Sequence, residues 1–209
     1  MADQQPDLAT AAPAFIEQSD LLGRALAVAA AAHRDQTRYD GSPYLSHPLR
    51  VCELLAQSEA GETTLAAALL HDGVEESELS IGAVVEAFGV EIGELVAALT
   101  EDDSIDDWVE RKEQLRGQVA EAGDVAAAIF AADKLANLQE MRTLYSVRGE
   151  DAIDLHKAPS LDLRVRAWSD DLAMIEKVAP SLAFIAPLRA ELDRFEAERS
   201  TETAAASRA

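Results

Sequence analysis

The sequence predicts an all-α fold, and three observations carry that expectation. Alanine dominates a chain that is 48% hydrophobic but only 5% aromatic, a composition that packs helices closely and suits sheets poorly. Apolar residues recur at three- and four-residue spacing through most of the chain. The breaks between those stretches fall at Gly, Pro, Ser and Asp, residues that start and stop helices. At 209 residues the chain can bury a full core. One domain over residues 20–199 is the economical reading, with flexible segments at 1–19 and 200–209.

Residues 1–19 are polar and interrupted by proline, and are expected to be largely unstructured. A helix is expected from Asp20, its N-cap, with Leu21, Leu22, Ala25, Leu26, Ala29, Ala30 and His33 at helical spacing. The polar stretch from Arg34 to Tyr44, with Gly41 and Pro43, reads as a connecting loop. Pro48 suits the first turn of the next helix, which leaves His47 just before it and Leu49, Val51, Leu54 and Leu55 as its apolar face. Gly61 to Thr63 restarts the chain into an apolar run, Thr64 to Leu70, that ends in His71-Asp72-Gly73-Val74-Glu75-Glu76. Ser80 is expected to cap a short helix through Phe88, ended by Gly89 in the left-handed conformation. Another helix spans about Glu91 to Thr100. The acidic run Glu101 to Asp107 is expected to be exposed, with Trp108 at the edge of the core. Helix resumes there, and Asp124 is the expected cap of a long helix to about Arg148, stopped by Gly149. Two helices, roughly Ser160 to Val178 and Ser181 to Glu198, complete the domain. Nothing in that final third resembles a site, and no internal repeat is present.

The formal charge of −21 disfavours nucleic acid and anionic membranes as partners, because the summed field repels both. A phosphorylated substrate would need a local positive centre, and a bound divalent cation is the simplest one. Cys52 is the single cysteine, so no internal disulfide can form, and a small buried apolar role suits it. The N-terminus lacks a basic and apolar signal-type segment, and no run approaches the ~20 apolar residues of a membrane span. A cytoplasmic location is expected.

Chemistry concentrates at His71 to Glu76. A purely structural helix end carries no such cluster of one imidazole and three carboxylates. On a helix His71 and Glu75 are four apart, as are Asp72 and Glu76, so each ligand candidate has an acid one turn along the same face. Gly73 costs about 1 kcal/mol against alanine in a helix interior, tolerable where something approaches the backbone closely. Asp133 falls in the small-residue segment Val125 to Leu138, where an unpaired carboxylate is costly to bury; a metal or another cation would remove that cost. His47, His71, Asp72 and Asp133 would make a mixed nitrogen and oxygen shell that suits manganese, iron, zinc or magnesium. Such an ion polarises a phosphoryl oxygen and lowers the pKa of water, and Glu75 or Glu76 could act as general base. His33 and His156 read as structural. Arg38 divides evenly between a solvated cation and a substrate contact, and Tyr44 reads as packing on its loop. Arg111 and Lys112 read as a solvated helix face with local acidic partners.

The succession Ala32-His33, Gln36, Arg38, Gly41, Pro43-Tyr44, His47-Pro48, Leu70-His71-Asp72, Val74-Glu75, Phe88-Gly89 and Ala132-Asp133-Lys134-Leu135 with Asn137 resembles the HD-domain hydrolases of the RelA/SpoT type, and among them the small stand-alone alarmone hydrolases. The resemblance covers about residues 20–145. It implies a single all-helical HD bundle, motif-bearing over 20–148, with two additional C-terminal helices over 160–199. It implies one divalent ion, usually manganese, at His47, His71, Asp72 and Asp133. Glu75 and Glu76 match the acidic pair that places the attacking water, and Arg38 matches a basic residue lining the guanine nucleotide site. Tyr39, Lys134 and Asn137 fall at or near the nucleotide. The implied reaction removes the 3′-pyrophosphate from guanosine tetra- or pentaphosphate, a small-molecule nucleotide, and is hydrolytic only. The chain departs from the family pattern at Gly73, at Glu76 in place of aspartate, at Tyr39 where a basic residue often stands, and at Ala136 in place of histidine. Two other readings stand beside this one: an HD phosphohydrolase of another nucleotide or phosphoester, and a catalytically silent nucleotide-binding sensor. The sequence leaves open whether the protein is a homo-oligomer.

Overall fold

The structure, a computed structural model, describes residues 13–38, 40–155 and 158–206. Tyr39 and His156 lie outside the described residues. The chain groups into two compact units, one holding residues 13–38 and 42–97, the other 40, 41 and 98–206. Helices dominate both, as the composition predicts, and among the described residues the only strand-like feature is an antiparallel bridge between Thr37 and Pro43.

In the first unit a short helix, α1 (Ala14–Glu17), forms in the stretch expected to be unstructured, because Ile16 buries itself at 1% exposure in a helix that packs on its neighbour α2 (Asp20–Ala32). The cap of α2 is Ser19, whose hydroxyl accepts the Leu22 N–H at 3.3 Å. Asp20 is therefore the first helical residue, where its charge favours the helix N-terminus. The next helix, α3 (Ser46–Gln57), begins one residue before His47 and so holds it in the first turn rather than ahead of it.

The centre of this unit is α4 (Glu62–Leu70), which packs against α2 and α3. Every residue from Leu65 to Leu70 is buried, as expected of a helix apolar on all sides. His71 (φ −58°, ψ −40°) and Asp72 (φ −84°, ψ −14°) keep right-handed helical dihedrals and lead into α5 (Gly73–Glu76). A Cβ on Gly73 would sit 2.9 Å from Leu79 Cδ2, so the glycine does admit a close neighbour. Ser80 caps α6 (Ile81–Phe88) by accepting the Ala83 N–H at 3.2 Å. Gly89 ends it at φ +92°, ψ 166°, a positive-φ region open essentially to glycine but extended rather than left-handed helical. The helix α7 (Val90–Leu99) follows.

The second unit opens with a correction to the acidic run. Residues 102–104, 106 and 107 are exposed, but the Glu101 side chain is only 12% exposed. It accepts from Arg111 Nε at 2.9 Å and from Lys112 Nζ, both on α8 (Trp108–Ala122). Burial alone would raise the Glu101 pKa; the charge and hydrogen bond of Lys112, with Arg111, outweigh it and hold the carboxyl below its ordinary value. Trp108 is itself buried, at 8% exposure. The long helix α9 (Asp124–Arg148) is capped by Gly123 at φ +90°, so Asp124 is its first residue, and it ends at Gly149. Ser160 caps α10 (Leu161–Val178). The last helix, α11 (Ile185–Ala206), starts four residues later than expected and continues to Ala206, inside the segment expected to be flexible. Arg142 of α9 bonds Glu198 of α11 at 3.0 Å and also Glu191. Trp168 and Phe195 meet edge-on at 6.1 Å between centroids in the core. Asp171, 5% exposed, pairs with Arg116 Nη1 at 3.3 Å; burial pushes its carboxyl up, and Lys134 and Arg116 offset this only in part. No helix among the described residues is long and apolar enough to cross a membrane.

Candidate metal centre

In the first unit the side chains of His47, His71 and Asp72 converge. The end of α4 delivers His71, buried at 4% exposure, and the first turn of α3 delivers His47 at 6%. Their rings lie 5.5 Å apart between centroids. His71 Nδ1 is 2.8 Å from the Ala68 carbonyl; a carbonyl can only accept, so Nδ1 carries a proton and Nε2 is the nitrogen turned toward Asp72. That Nε2 lies 3.1 Å from Asp72 Oδ1, and His47 Nε2 lies 3.6 Å from Asp72 Oδ2. Lone pairs and carboxylate oxygens so placed repel unless positive charge joins them, as a proton or as a metal ion. The donor set, two imidazole nitrogens and a carboxylate, with His71 oriented by a backbone carbonyl at its other nitrogen, fits a divalent cation.

A residue read from sequence as simple packing holds this cluster. The Tyr44 hydroxyl donates to Asp72 Oδ2 at 3.1 Å. Burial first, then the charges of Asp72 and Glu76, raise its pKa well above the ordinary phenol value. Its ring stacks on His33 at 4.6 Å and 20°, and the Arg38 guanidinium carbon lies 5.2 Å from the ring centroid. Gln36 joins the loop to the acidic turn: its Oε1 pairs with His33 Nδ1 at 2.7 Å and its Nε2 donates to the Glu76 carbonyl. Glu75 and Glu76 are half-buried on α5, the turn that follows Asp72. Both Gln36 and Tyr44 belong to the motif succession, which is the signal that could have identified them.

In the second unit the predicted residues Asp133, Lys134 and Asn137 meet on α9. Asp133, 7% exposed, accepts from Lys134 Nζ at 2.8 Å and from Asn137 Nδ2 at 2.6 Å. The Lys134 ammonium also lies 4.3 Å from the Phe130 ring centroid. Burial would lower the Lys134 pKa, but Asp133 and Asp171 outweigh it and raise it. The carboxylate is thus buried with partners that preserve its charge.

A helical fold with a histidine and aspartate pair at a helix end, joined by a second histidine, defines a class of metal-binding helical domains. The chain belongs to the HD domain family, whose profile matches residues 25–156. It is 39% identical over 118 residues to mouse guanosine-3′,5′-bis(diphosphate) 3′-pyrophosphohydrolase MESH1, covering 54% of this chain and 65% of that one. It is also 39% identical over 136 residues to a probable GTP pyrophosphokinase of Mycobacterium leprae, there covering 59% of this chain and 16% of the relative's length. The chain therefore spans under two thirds of the curated relatives it matches. A solved structure of a metazoan ortholog of SpoT that hydrolyzes ppGpp superposes with a TM-score of 0.68 at 27% identity, over 87% of this chain and 96% of that one. The structure of lmo0812 from Listeria monocytogenes gives 0.63 at 30% identity, over 70% and 96%.

Proposed function

We propose that this protein is a metal-dependent phosphohydrolase that removes the 3′-pyrophosphate from guanosine tetra- or pentaphosphate in the cytoplasm. The observation that carries the reading is the convergence of His47 Nε2, His71 Nε2 and both Asp72 oxygens. The likeness to MESH1, named for that reaction, supplies the substrate. His47, His71 and Asp72 hold the ion, manganese, and Asp133 is the fourth ligand by its place in the family's motif order. A bound ion of this kind polarises a phosphoryl oxygen and lowers the pKa of water.

Glu75 and Glu76 orient the attacking water and take its proton. Oxygen bonds to the phosphorus nearest the sugar, the bond from that phosphorus to the ribose 3′-oxygen breaks with a proton passing to that oxygen, and pyrophosphate leaves, with guanosine diphosphate the other product from the tetraphosphate and guanosine triphosphate from the pentaphosphate. Arg38, Lys134 and Asn137 bind the nucleotide, as does Tyr39. In a chain of net charge −21 such cations are what makes a polyanionic substrate acceptable.

The test is to strip the purified protein, reload it with manganese, incubate it with guanosine tetraphosphate and separate the products by ion exchange. Release of pyrophosphate with guanosine diphosphate is expected. No turnover with metal demonstrably bound would refute the substrate and direct the search to other phosphate esters.

A further inference from the structure

Asp72 faces three groups at once, and its carboxylate plane decides which oxygen meets which. Oδ1 meets His71 Nε2 at 3.1 Å, while Oδ2 meets His47 Nε2 at 3.6 Å and the Tyr44 hydroxyl at 3.1 Å. The terminal torsion of aspartate is broad and roughly two-fold, so the plane is set by its partners. The bond from His71 Nδ1 to the Ala68 carbonyl fixes that ring from its far side. The tyrosine hydroxyl is a directional donor.

We propose that Tyr44 is a positioning residue for the metal centre, orienting the Asp72 carboxylate toward the ion through its hydroxyl. The proposal rests on the metal reading above. The ring that carries the hydroxyl is itself fixed. His33 stacks on it, Arg38 lies beside it, and the Tyr44 N–H donates to the Gln36 carbonyl at 2.9 Å. Gln36 in turn holds His33 and the backbone of Glu76. His33, Gln36 and Tyr44 therefore form a brace between the acidic turn and the metal-binding aspartate, and the hydroxyl is its working tip.

The variant Tyr44→Phe keeps the ring and removes the donor. Calorimetric titration of manganese into metal-free protein should show affinity about 10–100-fold weaker than in the wild type, the usual effect of losing a group that orients a ligand. The metal-free melting temperature should change little, and turnover of guanosine tetraphosphate should recover at saturating manganese. Manganese binding as tight as in the wild type would overturn the proposal, and if the metal-free melting temperature fell at the same time the hydroxyl would be a structural bond only. A wild-type protein that takes up no manganese would instead overturn the metal reading, and this proposal with it.

Discussion

The two units bury carboxylates in opposite ways. In the second, Glu101 sits between Arg111 and Lys112, Asp171 on Arg116 and Glu191 on Arg142. Each charge has its counter-charge within the fold, so the arrangement is complete as a piece of architecture. In the first, Asp72 faces the Nε2 atoms of two histidines, one of which has its ring held by the bond from Nδ1 to the Ala68 carbonyl. The Tyr44 hydroxyl donates to the same carboxylate. The contrast is one of partner chemistry: Glu101, Asp171 and Glu191 meet guanidinium or ammonium groups, whereas the neighbours of Asp72 include two imidazole nitrogens and a tyrosine hydroxyl.

Substitution should separate the two kinds cleanly. The largest effect is expected from His71→Ala or Asp72→Ala, which should reduce manganese uptake, read by elemental analysis, and pyrophosphate release to background. Full activity in either variant would remove the site from consideration. Next comes Arg116→Met, which strands the Asp171 carboxyl in the core and should cost about 3–5 kcal/mol in denaturant unfolding. The double variant Arg116→Met/Asp171→Leu should recover most of that, and failure to recover would mean the pair is not the unit that matters.

The smallest effect is expected from Glu101→Gln, at about 1.5–3 kcal/mol near neutrality, the range for a hydrogen bond to a charged group. Its sign with pH follows from the lowered carboxyl. The folded-state pKa lies below the ordinary 4.5, so the stabilisation is fully present above that pH and is lost as pH falls through the folded value. Urea unfolding of wild type and variant should therefore converge in acid; a constant gap would show that Glu101 contributes through shape rather than charge.

What the sequence disclosed follows the reach of each interaction. Helix starts at Ser80 and Ser160 were legible because a cap acts on an N–H three residues away. Asp20 and Asp124 were placed one position out, since Ser19 and Gly123 precede them and the choice depends on backbone dihedrals. The burial of Glu101 was hidden by four acidic neighbours in the run. Its cations lie ten and eleven residues downstream, and they reach it only after the chain turns, with Asp102 accepting from Ser104. His71 and Asp72 were legible as adjacent polar residues closing an apolar run. The Tyr44 bond to Asp72 was not, because it crosses 28 positions and leaves no local pattern.

The unbroken burial of α4 from Leu65 to Leu70 also sets how this protein can vary in length. A residue inserted into that helix would turn everything after it by about 100° and advance it by about 1.5 Å. A helix with one wet side can absorb such a slip by re-facing; this one has no wet side to offer. His71 is thus indexed to the core as a key is to its wards, and insertions and deletions that the chain can accept belong in exposed connections such as residues 102–107.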